Sequence, residues 1–282
     1  PLKILARLGA EVVPGAMDEE GLDPAALEAA LAGGETSFLY TIPTFQNPSG
    51  RTLTAERRSR VVALARAHGV PVLEDDPYGL VRYEGEPPPS LHELEGGDLV
   101  TYASSFSKTV APGVRVGWFV APAELAARLE ARAVATYISP PFLTQATVLE
   151  LIDRGAFEPN LERVKGLLRT RRDAMRSALE RELDGWATWS EPEGGYFLWV
   201  ELQVDAADLL ERAERAGVTF VKGADFFPAS GREAASSGVF ARSGSAPADP
   251  DLAQRTVRLA FSYASPSEIG EGVSSLASLV RS

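Results

Sequence analysis

Thr36-Ser37-Phe38-Leu39-Tyr40-Thr41, Pro43-Thr44-Phe45-Gln46-Asn47-Pro48-Ser49-Gly50 and Val70-Pro71-Val72-Leu73-Glu74-Asp75-Asp76 frame one unit of strand, turn, helix and strand. The helix between them starts at Thr54, whose hydroxyl can cap it, and ends near Gly69. Glu56 places a negative charge in its first turn, and Val61, Val62, Leu64 and Ala65 form its apolar face. Two strands joined through a helix run parallel, and a parallel sheet must bury both faces. The unit therefore predicts a three-layer α/β domain with a mostly parallel sheet. Functional residues of such a sheet gather at the carboxyl ends of its strands.

Working outward, residues 24–31 read as a short Ala-rich helix, while residues 2–13 read as a helix, a turn at Gly9 and a strand. The chain opens at Pro1 in what looks like the middle of a domain, so an upstream segment is expected. Strands follow at 99–103 and 114–120, the second apolar enough for a buried position, and then helices at 123–135, 141–154 and 157–183. From Trp186 the pattern changes: strands at 186–190, 196–202 and 218–221, a helix at 206–216, a strand at 256–262 and a helix at 265–281. Residues 1–156 are thus expected to form a large domain, 157–183 a connecting helix and 184–282 a smaller α+β domain. Residues 230–251, rich in Gly, Ser, Ala and Pro, read as a mobile surface loop.

Composition excludes several classes. The 282 residues carry 28 basic and 39 acidic side chains, a net charge of −11 that opposes nonspecific nucleic-acid binding. The basic run at 163–176 reads as a solvated helix face. Cysteine is absent, and His68 and His92, both in polar stretches, are too few for a histidine metal centre, so no metal is expected. There is no apolar run long enough for a membrane span and no signal-peptide pattern, which makes the cytoplasm the default compartment.

Four constellations carry chemistry. Lys108 follows Ser105 and Ser107 at a strand end, with Arg115 close behind; a lysine can form a Schiff base to an aldehyde cofactor while hydroxyls and a guanidinium hold its phosphate. The same lysine could equally be an exposed loop residue. Asp75-Asp76-Pro77-Tyr78 closes a strand, where a carboxylate can keep a heterocyclic nitrogen protonated and a phenol can reach the same ring; such acids also bind metals or cap helices. Asn47 lies in a Pro48 and Gly50 turn that can present its amide to a cleft, or serve only as a turn. Arg258 interrupts the apolar strand Thr256-Val257-Arg258-Leu259-Ala260-Phe261, so it must face water or pair with an anion, a substrate carboxylate or a structural acid.

Taken in order, these motifs resemble the fold-type I pyridoxal phosphate aminotransferases of classes I and II. Ser105-Phe106-Ser107-Lys108-Thr109-Val110-Ala111-Pro112-Gly113-Val114-Arg115 is very close to the family's cofactor-lysine signature, and the Asn47 and Asp75 motifs match its other hallmarks. Their particular forms look most like the branch of 2-aminoadipate and kynurenine aminotransferases. The resemblance implies a PLP-transferase type I large domain, incomplete at its N-terminus by roughly a quarter of a typical family chain. It implies pyridoxal 5'-phosphate as cofactor, amino acid and 2-oxo acid substrates, and a homodimer, with neither nucleic acid nor membrane as a partner of this chain.

Residue by residue, the resemblance makes Lys108 the Schiff-base lysine and the base that moves the substrate proton, and Asp75 the partner of the pyridinium nitrogen. Asn47 and Tyr78 would hydrogen-bond the ring 3' oxygen. Ser105, Ser107 and Arg115 would bind phosphate, and Arg258 the substrate carboxylate. Tyr196 and Phe197, after Gly194-Gly195, match the small-domain strand near the substrate. One departure is Val221-Lys222-Gly223, where the family usually has Pro-Gly.

Two other classes compete. Ser105-Phe106-Ser107-Lys108 fits the S-x-x-K pattern of serine acyl-transferases, but the accompanying S-D-N and K-T-G motifs are missing. The aminotransferase-like effector domain of winged-helix transcriptional regulators shares all the motifs above, and would bind the cofactor to sense rather than to transaminate.

Overall fold

The computed structural model describes residues 2–34, 36–227 and 251–282; the stretch read as a mobile loop lies outside them except for Asp251. After helix α1 (Leu2–Arg7), the first strands are a small hairpin, β1 (Met17–Asp18) and β2 (Gly21–Leu22), followed by α2 (Pro24–Leu31). The strand expected before residue 13 does not form. Pro14 follows with no N–H to donate, and Val13 is 70% exposed, so that segment has nothing to pair with.

The unit read first in the sequence builds the main sheet. Strand β3 (Leu39–Thr41), helix α3 (Ala55–His68) and strand β4 (Val72–Asp75) are followed by α4 (Leu91–Glu95), β5 (Val100–Ser105) and β6 (Gly117–Val120). The Thr54 hydroxyl accepts from the Arg57 N–H at 3.3 Å, and Gly69 ends α3 in a left-handed conformation at φ 64°, which glycine adopts without a Cβ penalty. The strand order is β3-β4-β5-β6, with the first three parallel and β6 antiparallel to β5.

On one face of this sheet Val72 and Val100 pack with Leu27, Leu31, Val61, Leu64, Ala65 and Leu91 from α2, α3 and α4. Leu73 and Asp75 on the other face are half-buried. Strand β6 departs from the expectation of a buried position: among the described residues it pairs with β5 alone, and Phe119 is 60% exposed. Apolarity alone does not tell an edge from a centre. A 3-10 turn at Pro112–Val114 and the left-handed Arg115, φ 50°, break the run before it can pair, so the strand starts only at Gly117.

Helices α5 (Ala123–Thr136), α6 (Phe142–Asp153) and α7 (Phe157–Leu183) lead to a second sheet. It comprises β7 (Ala187–Trp189), β8 (Phe197–Leu202), β9 (Val221–Lys222) and β10 (Thr256–Ala260) in the order β7-β8-β10-β9, all antiparallel. Helices α8 (Ala206–Arg215), α9 (Leu252–Arg255) and α10 (Pro266–Val280) accompany it. Leu168, Met175, Leu179 and Leu183 of α7 share one core with Leu198, Val200, Val257, Ile269 and Leu276. The basic run on α7 is not uniformly solvated. Arg172 is 2% exposed and donates to Glu84 at 2.6 Å and to the Pro192 carbonyl at 2.8 Å, because the α7 face it occupies packs against the segment that follows β4. His92 is likewise half-buried, with Nδ1 2.8 Å from the Val100 carbonyl, while His68 is exposed as expected.

Phe45, Tyr78 and Val81, which follow β3 and β4, belong to the core of the second sheet rather than the first. Backbone pairing locks this junction: Gly195 N–H donates to the Val81 carbonyl at 3.0 Å and Tyr83 N–H to the Glu193 carbonyl at 2.8 Å. Gly194 sits where a Cβ would lie 2.3 Å from the Phe45 ring and 2.6 Å from the Val81 carbonyl. Gly194→Ala is therefore expected to cost about 1–3 kcal/mol through overpacking. A thermal melt should show a midpoint lower by about 2–4 °C for each kcal/mol lost, and an unchanged midpoint would contradict this packing.

Candidate active site

The end of β4 sorts three consecutive acids by the two-residue period of a strand. Glu74 and Asp76 share the helix-covered face. Glu74 accepts from the Leu91 and His92 N–H groups at 3.0 and 2.9 Å and lies 3.8 Å from the buried Arg58, so it is the acid that anchors a helix start. Asp76 accepts from the Tyr102 hydroxyl at 3.0 Å and the Gly79 N–H at 2.8 Å. Asp75 points to the opposite face, where the Tyr40 hydroxyl donates to its Oδ2 at 2.5 Å. Burial pushes the Asp75 carboxyl above its ordinary range, and the Tyr40 hydrogen bond opposes that rise. Among the described residues no cluster of three or more His, Cys, Asp or Glu side chains is arranged for a metal.

Strand β5 delivers the lysine cluster. Ser105 Oγ donates to Ser107 Oγ at 2.9 Å and lies 3.0 Å from the Val116 carbonyl, and the Ser107 N–H returns a bond to Ser105 Oγ at 3.1 Å. Arg115 Nη1 donates to Ser107 Oγ at 3.2 Å. Both serines and the arginine thus form one hydrogen-bonded set, as their spacing suggested. Lys108 stands beside it, its Nζ 5.4 Å from the Tyr196 ring centroid and 5.9 Å from that of Tyr78. Tyr196 also donates to the Lys108 carbonyl. No carboxylate pairs with the Lys108 amine among the described residues. Burial lowers its pKa below that of an ordinary lysine, and the positive charges of Arg115 and Arg258 lower it further.

The Asn47 turn is held by Gln46, whose Oε1 accepts from the Ser49 N–H at 2.9 Å and the Ser49 hydroxyl at 2.7 Å; the Asn47–Pro48 peptide is cis. Arg258 on β10 reaches across to it, Nη1 donating to Asn47 Oδ1 at 2.7 Å. Val257 and Leu259 point into the core, so the alternation of the strand puts Arg258 on the opposite face. Its guanidinium lies 4.1 Å from the Phe197 ring centroid and 5.0 Å from that of Phe226, and its Nε is buried without a partner. The sequence left water, a structural acid or a ligand anion as its counterpart. Among the described residues it meets an amide and two rings, and no acid. A half-buried cation so placed is suited to take an anion as its counterpart.

Tyr78 completes the set. It is buried, its ring 5.7 Å from Tyr196 and 5.8 Å from Phe197, and burial pushes its phenol up to about 12, so it stays protonated through the neutral range. Asp75, Lys108, Arg115, Arg258, Asn47 and Tyr78 are brought together where the two sheets meet. The residues that sequence reading did not single out are Tyr40, Tyr102 and Phe226. Tyr40 sits three residues before Pro43, but only the lateral pairing of β3 with β4 puts it against Asp75.

Chemically, the cluster offers an amine with a depressed pKa, a hydroxyl and guanidinium set suited to a phosphate, a carboxylate, and a second guanidinium suited to a carboxylate. The chain is 38% identical over 220 residues to a 2-aminoadipate transaminase of Thermus thermophilus, covering 76% of this chain and 55% of that relative. Over 184 residues it is 35% identical to an uncharacterized HTH-type transcriptional regulator of Bacillus subtilis, covering 65% of this chain and 38% of the regulator. The solved kynurenine aminotransferase of Pyrococcus horikoshii superposes with a TM-score of 0.84 at 32% identity, covering 96% of this chain and 64% of that one. The chain spans about 60% of the length of the curated relatives that it matches along most of its own. The family model for aminotransferase class I and II matches residues 3–267, and the chain belongs to that family.

Proposed function

We propose that this chain carries a pyridoxal 5'-phosphate site that moves an amino group between an amino acid and a 2-oxo acid. The observation that carries the reading is the Lys108 amine set between the Ser105, Ser107 and Arg115 group and Arg258, with no carboxylate paired to Lys108 or Arg258 among the described residues. The residues fit the cofactor by donor chemistry: three phosphate donors, one amine, one carboxylate with Oδ1 free of any donor among the described residues, and the Asn47 and Tyr78 polar groups. When bound, the cofactor supplies a carbonyl that condenses with amines and a conjugated ring that accepts the electron pair left at the substrate Cα.

The protein side chains do the rest. Ser105, Ser107 and Arg115 hold the phosphate and so fix where the ring lies. Asp75 would hold a proton at the ring nitrogen by charge pairing, and Asn47 and Tyr78 would offer hydrogen bonds to the ring 3' oxygen. Arg258, stiffened by Asn47 and two aromatic faces, binds the substrate α-carboxylate. Lys108 would take the proton from the substrate Cα; its depressed pKa leaves more of it neutral at working pH, which is what a base requires.

The family resemblance adds a homodimer and a cytoplasmic setting to this reading. No helix among the described residues is long and apolar enough to cross a membrane. The similarity to an HTH-type regulator supports a second reading, an effector domain that binds the cofactor without turning over. Absorbance spectroscopy separates the two. The chain with added pyridoxal 5'-phosphate is expected to develop a Lys108-dependent visible band, and 2-aminoadipate, kynurenine or aromatic amino acids should convert it to the pyridoxamine form. A band that resists every amino donor favours the sensor, and the lack of any such band removes both readings.

A further inference from the structure

Asp75 is held by a side chain that none of the motifs contains. Tyr40, the middle residue of β3, donates its hydroxyl to Asp75 Oδ2 at 2.5 Å. The parallel register that sets Tyr40 beside Leu73 directs Tyr40, Leu73 and Asp75 to the same face, so the contact follows from strand pairing. We propose that Tyr40 is a positioning residue for the cofactor: by occupying Oδ2 it orients the Asp75 carboxylate and presents Oδ1 to the ring nitrogen. This inference rests on the pyridoxal phosphate reading above.

The neighbouring acid makes the specificity of the arrangement visible. Asp76 receives an equivalent phenol, Tyr102 from β5, at 3.0 Å, but on the helix-covered face, and the Gly79 N–H besides. The two tyrosines thus take one acid each from opposite flanks of β4. Only Tyr40 acts on the acid that faces the lysine cluster. Tyr78 and Tyr40 are the titratable groups of the described chain that bear on Asp75, together with the adjacent Asp76. Burial and the Asp75 charge hold the Tyr40 phenol far above its ordinary pKa, so Tyr40 remains a donor at any working pH.

Removing the hydroxyl withdraws a charge-assisted hydrogen bond from the ionised carboxylate, which must raise its pKa and free it to rotate. In the cofactor-free protein, carboxyl 13C NMR is expected to show the Asp75 titration at a higher pH in Tyr40→Phe than in wild type. In the loaded protein, the visible band of Tyr40→Phe is expected to titrate about one pH unit away from wild type, and kcat to fall roughly tenfold to a hundredfold with KM little changed. Tyr102→Phe, which loses the matching bond on Asp76, serves as the control and should leave the visible titration in place. Circular dichroism and the thermal midpoint check folding of both variants. The proposal is overturned if Tyr40→Phe keeps the wild-type carboxyl and visible titrations, or if Tyr102→Phe shifts the band as far as Tyr40→Phe does. A wild type with no Lys108-dependent band overturns the cofactor reading itself, and this role with it, while the carboxyl titration still reports whether the bond exists.

Discussion

Lys108→Ala is expected to lower turnover by on the order of 10⁴-fold, with the visible cofactor band lost, because in the proposed site one side chain both tethers the cofactor and moves the substrate proton. No neighbour can take its place. Tyr78 and Tyr196 flank the amine, but burial keeps both phenols protonated, each near 12, so neither is a base at neutral pH. A spectrum together with single-turnover kinetics distinguishes the two losses. If the variant still turned over within tenfold of wild type, Lys108 would not be the base.

The same position should respond in the opposite sense when stability is measured. Burial and the charges of Arg115 and Arg258 depress the Lys108 pKa in the folded chain, so the unfolded chain binds that proton more tightly. The penalty is therefore fully present at low pH and is relieved as pH rises from the depressed folded value through the ordinary lysine range. Lys108→Met keeps an apolar stem and lacks the charge. Without cofactor it is expected to melt at or above the wild-type temperature at neutral pH, and the gap should close as the pH is raised. A gap that widens with pH would contradict the sign of the shift. Such a trade of stability for function is expected at an active site.

Arg258→Leu is the second large effect. The guanidinium is a half-buried cation stacked on Phe197 and Phe226 and steered by Asn47, with no acid to neutralise it among the described residues. Truncating one partner of a desolvated charge pair costs about 2–4 kcal/mol, roughly 30-fold to 1000-fold in kcat/KM for an amino acid. The loss should be specific to the α-carboxylate. Wild type is expected to prefer an amino acid strongly over the amine that lacks the carboxylate, and Arg258→Leu to lose most of that preference. Arg258→Lys should recover only part of it, since an ammonium supplies neither the planar fork nor the ring stacking. A wild-type ratio retained in the leucine variant would assign Arg258 to structure alone.

Much of this site was legible because its chemistry is local in sequence. Ser105, Ser107, Lys108 and Arg115 fall within one strand end and one turn, so their order already describes their contact. Asp75 and Tyr78 share a strand end for the same reason, and the helix limits of α3 and α7 follow from a capping threonine, a left-handed glycine and a continuous apolar face. What stayed hidden depends on lateral neighbours. The apolar run that ends in β6 reads the same whether the strand lies at a centre or an edge, and Arg172 reads as one more surface cation until the segment after β4 covers it.

The sequence by itself determined the class of fold, the family and the residue types proposed to meet the cofactor, since these rest on periodicity and on motifs a few residues long. The tertiary structure alone decided which partners those residues receive. Asn47 and Arg258 are 211 residues apart and meet at 2.7 Å, and Tyr40 reaches Asp75 from 35 residues away. Strand register and the meeting of two sheets bring them together, and neither leaves a mark in the local order of the chain.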